Sequence, residues 1–254
     1  MIDLRMPLLC VSACLLGHEV RYDGGHKLQR RILRLPSRYA LLAACPEAEC
    51  GLGIPRELVE LHGNPKSPKA IGILSQHDYA VRIKSWAITY VQASSMVDGF
   101  ILKERSPSCG LRTRVRTPSG ARLAPGIFAS AIVKAHPLTP LISEEGFNDP
   151  ASRESFLHSA EALSEWRSWG HSEPMRFHKR HLALATAHNP KLASTLCGLI
   201  SKRRAYIDRL ITCLGYAITE PKLHLASRIL RKQGDTGHSL LAREYLCRFT
   251  KPAK

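Results

Sequence analysis

The sequence predicts an α/β domain built on a mostly parallel, Rossmann-like sheet, followed by an all-α domain. Three observations carry that expectation. Short apolar runs that read as buried strands alternate with helix-like patterns through the first 150 residues, as in a parallel sheet with crossover helices. From residue 151 onward the apolar runs reach helix length and glycine is sparse until 198. Between the two regimes Gly146, Asn148, Asp149 and Pro150 cluster. The boundary is therefore set there, giving domains 1–148 and 149–254, each of ordinary size.

Residues 7–16 read as a buried strand entering a tight turn at Gly17. Asp23-Gly24-Gly25 is a second turn, and 26–35 suits a short basic helix. The apolar stretch over 37–44 stops at Cys45-Pro46-Glu47, because proline has no N–H for further strand pairing. Gly51, Gly53 and Pro55 mark a loop. Asp78 is the expected N-cap of a helix running to about Met96, with Val81, Trp86, Ile88, Val91 and Met96 as its apolar stripe. Residues 97–102 read as a buried strand that enters the polar loop Lys103-Glu-Arg-Ser-Pro-Ser-Cys-Gly110. Residues 117–126 are expected as an excursion, 126–135 as a helix and 138–142 as a short strand.

Charge narrows the functional classes. Lys and Arg number 37 against 21 Asp and Glu, a net charge of +16 with neutral His. Residues 1–150 carry +6 and residues 151–254 carry +10. So dense a surplus favours a polyanionic partner, either nucleic acid or an anionic surface. Lys202, Arg203 and Arg204, with the run 228–232, are the candidate phosphate contacts. His178, His181 and His188, spaced by three and seven, share one helical face. No acid accompanies them, so they read as phosphate or packing residues rather than a metal set. The longest apolar runs, 39–45 and 97–102, fall far short of the ~20 residues of a membrane span. No leader-like segment opens the chain, so a cytoplasmic location with reduced thiols is expected.

Eight cysteines fall at 10, 14, 45, 50, 109, 197, 213 and 247. Cys197, Cys213 and Cys247 lie in helix-like apolar patterns and read as buried small hydrophobes. Cys14, Cys45 and Cys109 each follow a strand and have turn residues beside them, namely Gly17, Pro46, and Pro107 with Gly110. Loops at the carboxyl ends of neighbouring parallel strands converge on one crevice. Separations of 31 and 64 residues therefore do not keep the three apart. Zinc favours short-spaced pairs, and no CxxC is present. An iron–sulfur cluster normally takes four cysteines; three would leave one iron open as a Lewis acid. Three plain buried thiols are the remaining alternative. Cys10 lies ~13 Å from Cys14 along a strand at about 3.3 Å per residue, too far to share a small cluster. Cys50 is a reserve ligand or a later acceptor of sulfur.

Three blocks occur in order across most of residues 8–145. They are Val11-Ser-Ala-Cys-Leu-Leu-Gly17 with Val20-Arg-Tyr-Asp-Gly24, Cys45-Pro-Glu47 with Gly51-Leu-Gly-Ile-Pro-Arg56, and Ser106-Pro-Ser-Cys-Gly110. Together they resemble the TudS-like thiouracil desulfidase family. The resemblance implies a 4Fe–4S cluster held by Cys14, Cys45 and Cys109, with one iron lacking a protein ligand. It also implies non-redox removal of sulfur from a thiolated pyrimidine. Glu47, two residues past Cys45, is a candidate proton relay, a role the resemblance supports. Ser106, three residues before Cys109, is a candidate for substrate binding or proton transfer, with turn formation as the alternative. Arg21 and Asp23 flank Tyr22 and are expected to order the crevice.

In the second half, Phe177-His178-Lys-Arg-His181, Ala187-His188 and Leu214-Gly-Tyr216 resemble the YbgA-like helical domain. Leu182 departs from that pattern, and the domain reads as shortened. Fusions of the two domains are similar to the RudS-like tRNA 4-thiouridine desulfidases, which implies tRNA as substrate and partner. Two alternatives stand beside this reading. One is a free-base or nucleoside thiouracil desulfidase whose helical domain is only structural. The other is a non-enzymatic RNA-binding protein with structural zinc.

Overall fold

The computed structural model describes residues 6–35, 38–216, 218 and 226. The chain forms two compact units, divided between Asp149 and Pro150. The first runs through β1 (Leu8–Ser12), α1 (Arg30–Leu33), β2 (Ala40–Ala44), β3 (Val59–His62), β4 (Lys69–Gly72), α2 (Ala80–Ala93), β5 (Gly99–Leu102), β6 (Thr113–Thr117), β7 (Gly120–Ala124), α3 (Ile127–Ala135), β8 (Leu141–Ser143) and α4 (Glu144–Asn148).

The α/β class is as expected. One sheet has the order β2-β1-β5-β8, and every neighbouring pair in it is parallel. Its central strand β5 is buried throughout and β1 nearly so, as strands covered on both faces must be. A second, mixed sheet has the order β4-β3-β6-β7. In it β3 pairs antiparallel with β4 and parallel with β6, and β6 and β7 form a hairpin. Nothing in the sequence reading anticipates this sheet. The excursion placed at 117–126 contains β7, one arm of that hairpin.

The helix expected over 78–96 is shorter, and its stripe differs. Asp78 is not an N-cap; its Oδ1 accepts from the N–H of Ala80 and of Ala70, both at 3.0 Å, and so ties the helix start to β4. The buried stripe is Ile83, Ala87 and Val91, while Val81 is 74% exposed and Met96 52%. Small Ala87 on that face carries little apolar weight in a sequence pattern. Trp86 and Tyr90 stack at 4.8 Å and meet Phe128 of α3 edge-on at 5.2 and 5.3 Å.

The start of α3 grips the loop that follows β5. Ile127 N–H donates to Pro107 O (3.1 Å), and those of Phe128 and Ala129 to Ser108 O (2.9 and 3.1 Å). N–H groups that a helix leaves unpaired in its first turn thus bind the backbone beside Cys109. Gly126 makes this approach possible: a Cβ there would lie 2.6 Å from Ser108 O and 2.7 Å from Pro107 O.

The second unit comprises α5 (Pro150–Glu165), α6 (Pro174–His188), α7 (Pro190–Ala193) and α8 (Arg203–Leu214). Trp166 packs against Phe177 at 5.1 Å and against Tyr206 at 5.5 Å. The histidine trio belongs to this interior and not to a phosphate-binding surface. His178 Nδ1 lies 3.3 Å from Tyr206 Oη, His181 Nε2 lies 3.0 Å from Glu165 Oε2, and His188 Nε2 lies 2.9 Å from His158 Nδ1. Sequence spacing marks a common face but not which side of it meets water, and the acid, Glu165, comes from another helix. Cys213 is buried as expected, but Cys197 is exposed. Cys247 and the run 228–232 lie outside the described residues. Among the described residues, no helix is long and apolar enough to cross a membrane.

Replacing Gly126 with alanine should destabilise the first unit by about 1–3 kcal/mol, because backbone oxygens cannot swing aside as a flexible side chain would. Urea unfolding followed by tryptophan fluorescence measures it; an unchanged midpoint would show that the loop gives way freely.

Candidate active site

Three loops leave one edge of the parallel sheet, and each brings a cysteine. After β1 the chain turns through a short 3-10 helix, Ala13–Leu16, closed by Gly17 at φ 95°. That turn places Cys14 just beyond the strand. Cys45 directly follows β2, and its N–H donates to Glu49 Oε1 at 2.7 Å. Beyond β5, Lys103 N–H donates to Ser12 Oγ (2.9 Å), joining the third loop to the first. Ser106 Oγ then accepts from the N–H of Ser108 (3.2 Å) and of Cys109 (3.1 Å), closing the turn that presents Cys109. Together the loops enclose a cavity of about 310 Å³ lined by Cys14, Cys45, Cys109, Glu47 and Ser106, among others.

Glu47 sits in a dense set of donors. Ser106 Oγ and Ser108 Oγ donate to its Oε1 at 3.3 and 3.1 Å. Arg56 donates to its Oε2 from Nε (3.1 Å) and Nη2 (2.9 Å). Lys103 Nζ pairs with the Glu144 carboxylate and donates to Glu104 O at 2.9 Å. Arg21 pairs with Asp23 at 3.2 Å and lies 5.1 Å from the Tyr22 ring centre; Arg21 and Tyr22 line the cavity. The sequence reading assigned no role to Arg56, Lys103 or Glu144. Arg56 stands in the second motif block, yet nothing local marks it as the partner of Glu47. Glu144 lies 41 residues from Lys103, beyond any local pattern.

Burial pushes the Cys14 thiol up to about 11, with Cys45 nearby adding to it. Burial likewise raises Cys45, and it raises Cys109 well above the ordinary thiol value. Glu47 and the thiols of Cys14 and Cys45 push Cys109 further the same way. Such thiols stay protonated at neutral pH unless a cationic centre offsets their charge. No group of three His, Cys, Asp or Glu side chains among the described residues is arranged to hold a single metal ion. Three soft thiol donors that face one cavity fit an iron–sulfur centre. Cys10 takes no part: it is fully buried, its Sγ lies 3.1 Å from Tyr90 Oη, and burial pushes it up to about 12. Cys50 is absent from the cavity lining; it packs against the core of the second sheet, with Sγ 3.5 Å from Glu47 O. Lys202, Arg203 and Arg204 belong to the helical unit, where they are exposed around an open hollow with Ala205 and Asp208.

Fold and site define an α/β domain with a thiol-lined crevice at the carboxyl ends of parallel strands. The family model for 2-thiouracil desulfurase matches residues 9–145, and the chain belongs to that family. Uncharacterized protein YbbK of Bacillus subtilis (strain 168) is 30% identical over 150 residues, covering 56% of this chain and 99% of the relative. The solved structure of the 4Fe–4S-dependent thiouracil desulfidase TudS is 30% identical, covers 56% of this chain and 93% of its own, and has a TM-score of 0.44.

Proposed function

We propose that this protein is a thiopyrimidine desulfidase acting on 4-thiouridine in cytoplasmic tRNA, with a 4Fe–4S cluster held by Cys14, Cys45 and Cys109. One iron of that cluster then has no protein ligand. The observation that carries the reading is the convergence of those three thiols and Glu47 on one cavity, in a chain of the 2-thiouracil desulfurase family. When bound, the cluster would supply a Lewis-acidic iron to polarise the thione. The chemistry exchanges a thione for a carbonyl: water enters, hydrogen sulfide leaves, and no net electron is transferred. Glu47 takes a proton from the attacking water and later returns one to the departing sulfur. Ser106 and Ser108 hold the carboxylate in place through Oε1. Reaching a base inside folded RNA requires local unstacking, at a cost of about a few kcal/mol. The basic helical unit, with Lys202, Arg203 and Arg204 exposed on it, supports phosphate contact as the source of that energy.

Anaerobic reconstitution tests the ligand set. Cys14→Ala, Cys45→Ala and Cys109→Ala should each lose the visible iron–sulfur absorbance and bound iron, whereas Cys197→Ala keeps both. Full iron in any of the first three removes that residue from the set. Glu47→Gln should keep its iron and release sulfide at least about 100-fold more slowly, the low end for losing a general acid or base. A wild-type rate in that variant would exclude Glu47 from proton transfer.

The substrate is tested by comparing thiolated tRNA with free 4-thiouracil. With roughly four phosphate contacts, tRNA affinity should drop about fiftyfold between 50 and 200 mM salt. Reversing Lys202, Arg203 and Arg204 to Glu should weaken tRNA binding yet spare turnover of the free base. Unchanged tRNA binding would place the RNA surface elsewhere, and equal turnover of both substrates at equal concentration would favour the free-base enzyme.

A further inference from the structure

We propose that Arg56 is a positioning residue for the reaction: its guanidinium fork fixes the place and plane of the Glu47 carboxylate in the cavity. The inference rests on the functional reading above and adds a residue to it.

Arg56 is 6% exposed in its side chain and its guanidinium has four hydrogen bonds to fixed acceptors. Nε and Nη2 both donate to Glu47 Oε2, at 3.1 and 2.9 Å. Nη1 donates to Val20 O (3.0 Å) and Gly53 O (3.1 Å). The backbone N–H of Arg56 donates to Tyr22 O at 2.9 Å. The fork is thus anchored to the loop after β1 and to its own loop before it reaches the carboxylate. On the other oxygen the geometry is equally determined. Ser106 Oγ already accepts two backbone N–H groups, so its single proton is directed at Oε1, as is that of Ser108. The plane of the carboxylate is therefore fixed from both ends, with Oε2 held by the guanidinium fork and Oε1 by two hydroxyls. Lysine, a single point charge, cannot reproduce a fork that also spans two carbonyls.

A residue that merely tethered loops would affect iron retention and leave the chemistry of loaded enzyme alone. The test is a double-mutant cycle on iron-replete protein: wild type, Arg56→Met, Glu47→Gln and the double variant, with Arg56→Lys beside them. Iron per chain, kcat and KM on 4-thiouracil are measured in each. Arg56→Met and Arg56→Lys should retain iron and a KM within about threefold of wild type, while kcat falls about 10- to 100-fold, as for a catalytic group displaced by about 1 Å. The double variant should be no slower than Glu47→Gln alone, because the arginine acts only through that carboxylate. Losses that multiply independently, a wild-type kcat in loaded Arg56→Met, or loss of iron from both arginine variants would each overturn the proposal. A crystal structure of Arg56→Met supplies a readout that needs no turnover. Glu47 should leave hydrogen-bond distance of at least one serine; a carboxylate still on both would also overturn it. If wild-type enzyme releases no sulfide at all, the functional reading fails, and the crystallographic comparison still decides the role of Arg56.

Discussion

Hydrogen bonding of β1 along both its edges, to β2 and to β5 in parallel, fixes where every loop of the site begins. The register pairs Ser12 with Ala44 and Val11 with Ile101, so the three strands end within a residue or so of one another. Cys14, Cys45 and the Cys109 loop consequently start from one edge of one sheet. An antiparallel neighbour would have sent its loop to the opposite edge. Because each residue of a strand spans about 3.3 Å, a slip of a single residue would also carry a cysteine past its partners. The bond from Lys103 N–H to Ser12 Oγ then holds two of the loops together just beyond the sheet.

Past the strand ends, backbone groups and not apolar packing set the thiols in place. Cys109 is held from one side by Ser106 Oγ, while its loop is held from the other by the N-terminus of α3. A loop fixed by carbonyl and amide partners leaves its side chains free to face the cavity. The cost is desolvation, which raises all three thiols. The lining offsets it with five basic side chains, Arg21, Lys27, Arg56, Lys103 and Arg105, against only Glu47 and Glu104. Four of those cations are themselves paired, Arg21 with Asp23, Arg56 with Glu47, Lys103 with Glu144 and Arg105 with Glu145, so none of the four stands as a bare charge.

How far the sequence discloses this arrangement depends on the range of each interaction. The parallel sheet is legible because β5 and most of β1 are unbroken apolar runs. The mixed sheet is not: Thr113-Arg-Val-Arg-Thr117 alternates buried and exposed positions over five residues, and only pairing with β3 and β7 distinguishes it from a polar loop. The turn residues beside Cys14, Cys45 and Cys109 make the thiols legible. The forked contact of Arg56 on Glu47 depends on the connection between β2 and β3 folding back on itself, and the contact of Lys103 with Glu144 on the start of a helix 41 residues away, so neither leaves a local mark. In α2 the small Ala87 on the buried face hides the true stripe behind the bulkier exposed Val81 and Ile88, and in α6 the shared face of the histidines is legible while its inward direction is not.

That inward direction has an electrostatic consequence for the helical unit. His158, His178, His181 and His188 are all buried there, and each is at most 5% exposed. Burial lowers His178, which stays neutral around pH 7. Lys202, Arg203 and Arg204, by contrast, lie exposed. Among the described residues of this unit, four of the five histidines are therefore turned into the helix interior, while these three basic side chains are turned outward. Under the tRNA reading proposed above, phosphate contact by such a surface works through counterion release and follows ionic strength closely. In the crevice of the other unit the Arg56–Glu47 and Lys103–Glu144 pairs are largely buried, and salt screens such pairs far less.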